Sequence, residues 1–372
     1  MINVLSIVWY QVLPAKYGGQ KGIVNFNQQL GKTVPLTCVC SKDNKPDHSI
    51  SYKLKPTLPK NRLQFFNPFV WKKILNISKE INPSHIILEH PYHAIAALRV
   101  KKRMGVKLIV HSHNIEHLRF KEQNKWWWRV VKYLENKAFQ NADLIIFKTE
   151  FDKQLAAQIF SLKTEVCTVL PYGIFKDAVP FDKKAAKDLI LKNYGLSKDQ
   201  KIMLFAGTLD YMPNAIAVEN IYKEIAPGLV ENNFDGKIII CGRNKQKRFQ
   251  YLNNLAHPLV INADEVDHIE TYFAAADVFI NPVQQGGGIQ TKNIEALSYG
   301  CHLVCFENML YGLDKNVFSD NITAVQQGNF KQFCNAIAAC FQKNTAQPTA
   351  EFYNQYFIEN LTKKLVERLI TD

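Results

Sequence analysis

Short apolar runs rich in β-branched residues recur along the first 175 positions, at 3–9 (NVLSIVW), 34–40 (VPLTCVC), 85–90 (HIILEH), 106–113 (VKLIVHSH), 143–149 (DLIIFKT) and 165–173 (EVCTVLPYG). Between most of them lie longer mixed segments, such as AIAALRVKKRMG and WRVVKYLENKAFQNA, whose apolar residues fall at helical spacing. Strand-length runs alternating with helical segments predict a parallel sheet with helices on both faces. After a charged, loop-rich stretch the pattern restarts, with strands expected at 201–209, 236–244, 258–263, 277–282 and 302–308. The chain therefore reads as α/β with two doubly wound units facing a cleft, whose ligands lie beyond the carboxyl ends of the strands. The expected division is a first unit over 1–173, a linker over 174–200, a second unit over 201–345, and a terminal helix over 346–372 that packs back toward the first unit.

One junction carries more than a turn. Residues 281–297 (NPVQQGGGIQTKNIEAL) read as a strand end, a glycine loop and a helix start. Glycines there leave backbone N–H groups free at a helix N-terminus, a ready anion site. Glu295 does not complete a capping box, because Thr291 precedes it by four residues rather than three. Two more strand ends point the same way: Gly207 and Thr208 in FAGTLDYMPN, and Gly242 and Arg243 in IIICGRNKQKR. A diphosphate among Arg243, Lys292 and the amides of Gly286, Gly287, Gly288 and Ile289 would gain charge-assisted hydrogen bonds, each worth about 1.5–3 kcal/mol. One helical turn from Lys292, the Glu295 carboxylate would accept from two ribose hydroxyls. The plainer alternative, a Lys292–Glu295 surface pair beside an ordinary turn, is worth about 0.5 kcal/mol or less.

Composition fits a soluble globular protein, with 47% hydrophobic and 21% charged residues. The net charge of +13 is unevenly spread: residues 1–175 carry +15 and the remainder −2. The first half is thus suited to an anionic partner. Eight cysteines without metal-ligand spacing indicate a reducing, cytoplasmic setting. The start reads as a strand rather than a signal peptide, and no apolar run approaches the roughly 18 residues of a spanning helix. Any membrane contact is therefore expected to be peripheral, on the inner face. RFKEQNKWWWRVVKY (119–133) is the natural place for it. Three consecutive tryptophans cannot all face a core from one helix, and indoles flanked by Lys and Arg suit an anionic headgroup layer, although packing against a loop or a second subunit is an alternative. Arg119, Trp126, Trp127 and Trp128, with Lys16 and Tyr17, are assigned to an acceptor or membrane side.

FAGTLDYMPNAIAV, IIICGRN and ETYFAAADVFINPVQQGGGIQTKNIEALSYG, with PAKYGGQ, SHNIEHLRF, ENKAFQNADLIIFKTEFD and VLPYGI in the first half, resemble glycosyltransferase family 4, a nucleotide-sugar-dependent group with the GT-B fold. The resemblance covers most of the chain, less closely over 41–84 and after 310. It implies two Rossmann-like domains and transfer of a sugar from a nucleoside diphosphate sugar to a hydroxyl of a glycan or lipid-linked acceptor. It further implies retention of configuration, with no cofactor and no metal. By the resemblance Glu295 binds ribose, Lys292 and Arg243 hold the diphosphate, Gly18 and Gly19 approach the phosphate, and His113 sits near the transferred sugar. Two departures stand out. The first of the family's two glutamates falls on Gly287, and the Arg and Lys that many members carry after the first C-terminal strand are replaced by TLDYMPN. A branch of the family has this glycine-rich form with Lys before the Glu.

His111 and His113 would share a strand face, with His117 in the next element. Three histidines offer a zinc reading, but no paired Cys or acidic ligand stands at a recognised spacing. His113 is assigned instead as a hydrogen-bond partner of the sugar. Other functions remain to be separated from transfer. A sugar-nucleotide epimerase on the same fold would need acid and base carboxylates, for which Glu89 and Glu116 are the candidates. An inactive relative is the reading motivated by Gly287. Nucleic-acid binding is not expected, since no reading motif accompanies the basic half.

Overall fold

The structure is a computed structural model that describes the chain apart from residues 1, 16, 17, 47, 48, 177, 180, 181, 287, 315, 316, 318–320, 343–347 and 372. It divides into two compact units, Met1–Phe175 with Tyr356–Asp372, and Lys176–Gln355. The first holds a seven-stranded parallel sheet formed by β1 (Val4–Val8), β2 (Leu36–Ser41), β3 (Lys53–Leu58), β4 (His85–Glu89), β5 (Lys107–His111), β6 (Leu144–Phe147) and β7 (Cys167–Val169), in the order β3-β2-β1-β4-β5-β6-β7. The second holds a six-stranded parallel sheet formed by β8 (Lys201–Ala206), β9 (Gly236–Cys241), β10 (Val260–Asp264), β11 (Val278–Asn281), β12 (His302–Phe306) and β13 (Ile322–Val325), in the order β10-β9-β8-β11-β12-β13.

Central strands are buried on both faces, which is why they read as continuous apolar runs. All five positions of β1 and β4 are buried, and Val4 pairs with both Leu36 and His85. The two strands absent from the sequence reading, β3 and β13, lie at sheet edges, where half-exposed faces and Pro56 break the apolar pattern. The stretch expected as a linker, 174–200, contains the helix Lys183–Asn193. That helix belongs to the second unit: Lys187 Nζ binds Asp277 at 2.7 Å, and Lys183 Nζ donates to the Tyr299 carbonyl at 2.8 Å.

Beyond 346 the described residues form two helices, Ala350–Tyr356 and Ile358–Thr371. The last one enters the first unit at Ile174, whose amide donates to Tyr356 O and whose carbonyl accepts from Ile358 N, both at 2.8 Å. Its Leu361, Leu365, Val366 and Leu369 join Ile23, Phe26 and Leu30 of the helix Gly18–Thr33 in one core.

Candidate functional site

In the six-stranded sheet β8 lies between β9 and β11, so strand order reverses there, and the ends of these strands form the crevice where such sheets take ligands. The ends are drawn close together. Gly207 N donates to Cys241 O at 3.0 Å and Leu209 N to Arg243 O at 2.8 Å. A Cβ on Gly242 would stand 1.9 Å from the Gly207 carbonyl oxygen, so no larger residue fits. After β11 the chain runs through Gly286 and Gly288, with φ of 149° and 80°, into the helix Thr291–Ser298. The Gln290 side chain does not cap that helix; Thr291 N donates to Ile289 O at 3.1 Å and Asn293 N to Gln290 O at 2.9 Å, so the backbone of the loop itself closes the helix start. Beneath the loop, buried Asn281 donates to Asn293 Oδ1 at 2.8 Å, and Asn293 donates to Met309 O at 3.0 Å, fixing the helix to the strand end.

Lys292 stands in the first turn of this helix. Its Nζ lies 4.6 Å from the Phe205 ring centroid and donates to Asn214 Oδ1 at 3.0 Å. Burial pushes its pKa down to about 7, and no carboxylate among the described residues pairs with it. Arg243 is differently placed. Its Nε donates to Asp210 Oδ2 at 2.9 Å, and Asp210 Oδ1 accepts from the amides of Lys245 and Gln246 at 2.7 Å each. Burial raises the Asp210 carboxyl, but those amides and the guanidinium outweigh it and hold the group below its ordinary range. The Arg243–Asp210 pair is neutral as a unit, whereas the charge of Lys292 is uncompensated. The Thr208 hydroxyl is buried without a hydrogen-bond partner among the described residues, and its carbonyl accepts from the Asn214 amide that holds Lys292. Glu295, partly buried, follows one turn along the helix from Lys292.

The seven-stranded sheet reverses order between β1 and β4, and its edge is built from histidines and carboxylates. Glu89, at the end of β4, binds His111 Nδ1 at 3.0 Å and His113 Nε2 at 2.6 Å. A carboxylate only accepts, so His113 donates through Nε2 and keeps Nδ1 as an acceptor. Burial pushes the Glu89 carboxyl up, but the two imidazoles outweigh it and hold the group below its ordinary range. Burial likewise pushes His111 and His113 down against the opposite pull of Glu89, and presses the buried Lys148, whose charge interacts with Glu89, down to about 8. His90 follows Glu89 at φ 67°, an uncommon conformation for a side-chain-bearing residue, and its ring lies 4.5 Å from that of His113.

Glu116 forms a second centre. It accepts from Tyr92 at 2.6 Å and Arg119 at 2.7 Å, and its carboxyl falls to about 2 as these partners and His90 overcome the effect of burial. Glu89, His111 and His113 offer ligand atoms within 4.8 Å of one another, a metal-capable set, yet here these atoms hydrogen-bond to each other. His117 stands apart from them, bonded to Glu135 at 2.5 Å.

Residues 18–177 match a family model described as Glycosyltransferase Family 4, and residues 200–343 match one described as Glycosyl transferases group 1. The chain belongs to the group 1, family 4 glycosyltransferases. Solved structures show the same GT-B fold. Sucrose-phosphate synthase from Thermosynechococcus elongatus is 15% identical, with 99% of this chain and 98% of that one covered at a TM-score of 0.76. HepE from Anabaena, in complex with UDP and glucose, is 13% identical with both chains fully covered at 0.74. WaaG, a glycosyltransferase involved in lipopolysaccharide biosynthesis, is 14% identical, covering 98% and 99% at 0.70. No curated protein matches the sequence at a significant level.

Of the site residues expected from sequence, this glycosyltransferase gathers Gly207, Thr208, Arg243, Gly286, Gly288, Ile289, Thr291, Lys292 and Glu295 at one sheet edge. Gly18 and Gly19 open the helix Gly18–Thr33 beside β1, in the unit that also holds His113. Lys16, Tyr17 and Gly287 lie outside the described residues. The loop leading to Gly18 is pinned by Asn44, a residue the sequence reading passed over: its Oδ1 accepts from Val12 N at 2.7 Å and Leu13 N at 2.9 Å.

The tryptophans do not share a helix, which begins only at Trp128. Trp126 is 77% exposed, while Trp127 and Trp128 are partly buried against Phe65, Tyr92, Phe120 and Val131. Arg119 turns toward buried Glu116. Arg62, 4.9 Å from the Trp127 ring, joins this region to the segment carrying exposed Leu63, Phe66 and Phe69, which the sequence reading did not select.

Proposed function

We propose that the enzyme transfers a hexose from a nucleoside diphosphate sugar to a hydroxyl of a glycan or lipid-linked acceptor, in the assembly of a cell-surface polysaccharide or glycoconjugate. The observation that carries the reading is Lys292, a buried ammonium that no carboxylate among the described residues compensates, held by the Asn214 amide that also binds the carbonyl of Thr208, whose hydroxyl has no partner among those residues. A nucleoside diphosphate would supply the missing negative charge there. In the transfer step the bond from the anomeric carbon to the diphosphate oxygen breaks and the leaving oxygen takes up charge. Lys292, with Arg243 through the guanidinium N–H groups that Asp210 does not take, would stabilise that charge without a metal ion. Glu295 would hold the ribose, and Nδ1 of His113 would accept from a hydroxyl of the transferred sugar. Retention of configuration is part of the proposal through family membership.

The epimerase reading has less support, because Glu89 and Glu116 are both buried and already bonded to internal partners. Because the HepE structures contain UDP and UDP-glucose, UDP-glucose is the first donor to test. Thermal-shift screening against UDP, GDP, ADP and dTDP sugars, followed by donor hydrolysis or transfer, tests the reading. Stabilisation of about 2.7 kcal/mol is expected at a hundred times the dissociation constant. A purified chain that binds none of them, or binds without turnover, contradicts transfer.

The partner surface proposed for the first unit is an anionic bilayer, in keeping with a cytoplasmic enzyme held at the inner face. Leu63, Phe69 and Trp126 are 78%, 83% and 77% exposed. Lys60, Arg62, Lys72, Lys73, Lys125 and Arg129 accompany them in sequence, matching apolar insertion to headgroup charge. No helix among the described residues is long and apolar enough to cross a membrane. Sedimentation with phosphatidylglycerol vesicles at low salt should retain the wild type and release Phe69→Ala/Trp126→Ala. Absence of wild-type binding removes this surface from the proposal.

A further inference from the structure

We propose that Asn214 is the positioning residue for Lys292, a neutral acceptor that aims the ammonium at a diphosphate without cancelling its charge. This inference rests on the reading of Lys292 as the cation of the diphosphate site.

Asn214 lies in the helix Met212–Asn220, directly after the end of β8. Its amide works in two directions. Nδ2 donates to the Thr208 carbonyl at 2.9 Å, and Oδ1 accepts from Lys292 Nζ at 3.0 Å. A single side chain thus ties the β8 end, the helix that follows it and the glycine-loop helix together around one ammonium. Room for it comes from Gly207, where a Cβ would stand 2.8 Å from Asn214 Nδ2. Asn214 is itself 9% exposed, so the amide is held by packing as well as by its bonds.

The chemical type of this partner matters. Asp210 shows what a carboxylate does on the same edge, since it takes up Arg243 as an ion pair at 2.9 Å. An aspartate at 214 would do the same to Lys292 and compete with an incoming diphosphate. An amide offers an acceptor of matching shape and no charge, so orientation is kept and the ammonium's electrostatic attraction stays available to the ligand. The neighbouring unpartnered Thr208 hydroxyl is consistent with a ligand completing this group of atoms.

Titration calorimetry with UDP, and with GDP or ADP should UDP not bind, compares wild type, Lys292→Ala, Asn214→Ala and Asn214→Asp from pH 6 to 9. Lys292→Ala should weaken binding by about tenfold or more, and Asn214→Ala by about three- to tenfold. The near-isosteric Asn214→Asp should weaken it about as much as Lys292→Ala at pH 7. Wild-type affinity should fall as pH rises above 7, because Lys292 must gain a proton to bind, and in Asn214→Asp that fall should move to higher pH. Thermal unfolding checks that each variant folds, and Asn214→Ser replaces any that does not. If the Asn214 variants bind with wild-type affinity and pH profile while Lys292→Ala is weakened, the inference fails and the site reading stands. If Lys292→Ala binds like the wild type, or no nucleoside diphosphate binds the wild type, the site reading fails with it.

Discussion

At the carboxyl edge of the seven-stranded sheet, Glu89 and Glu116 have found their partners inside the protein, whereas at the edge of the six-stranded sheet Lys292 meets, among the described residues, an amide oxygen and the Phe205 ring but no carboxylate. Both groups are desolvated, and desolvation disfavours charge in each. The carboxylates remain anionic because imidazole, tyrosine and guanidinium donors surround them. Lys292 lacks such a partner and sits near the midpoint of its titration at neutral pH. A charge compensated internally is a structural commitment, and an uncompensated one persists where a ligand completes it. The first edge therefore sets the orientation of His113, while the second is the one proposed to bind the donor.

The largest expected effect breaks the internal compensation. Glu89→Ala leaves Lys148 buried without its carboxylate and strips His111 and His113 of their acceptor, so chemical denaturation should show a loss of about 3–5 kcal/mol. Next in size, Lys292→Ala should cut turnover about 10²- to 10³-fold in a donor-hydrolysis or transfer assay, with the fold intact. An unchanged rate would contradict the assignment of Lys292 to the leaving group.

Two smaller predictions sharpen the contrast through stability. Lys292→Met should raise the unliganded protein's stability at pH 7 by about 1 kcal/mol while weakening nucleotide binding about tenfold or more, since it removes a desolvated ammonium. The unfolded state binds the Lys292 proton up to about pH 10.4, whereas the folded state releases it near 7. Wild-type stability should therefore rise with pH between those values, and the Met variant should lose that part of the slope. Glu116 gives the opposite limb. Its folded pKa is depressed to about 2, so its contribution is complete above the unfolded carboxylate range and fades as pH falls toward 2. Acid unfolding of Glu116→Gln should lack that component.

The sequence carried the central strands and the glycine loop with Lys292 and Arg243 at the strand ends, because double burial writes continuous apolar runs and because glycine loops, Lys and Arg are local features. It carried less wherever an element's environment is set by distant residues. The edge strands β3 and β13 have mixed faces and no run to detect. The helix Lys183–Asn193 looks like a charged linker until Lys187 meets Asp277, ninety positions away. Arg243 reads as a free cation because Asp210, thirty-three positions earlier, gives no sign of reaching it. Asn214 and Asn44 are ordinary polar residues in sequence, and only folding brings them to Lys292 and to the backbone before Gly18. Glu89 was legible as a carboxylate at a strand end, but not as the shared acceptor of two histidines.

The helix Ile358–Thr371 closes the hydrophobic face of Gly18–Thr33, so the unit begun by the earliest strand is finished by the latest helix. On the ribosome the opening half must wait, greasy side uncovered, while the whole intervening lobe is synthesised and threaded out. A fragment cut after residue 175 would inherit that bare face permanently, and it would be expected to clump rather than to behave as an independent lobe.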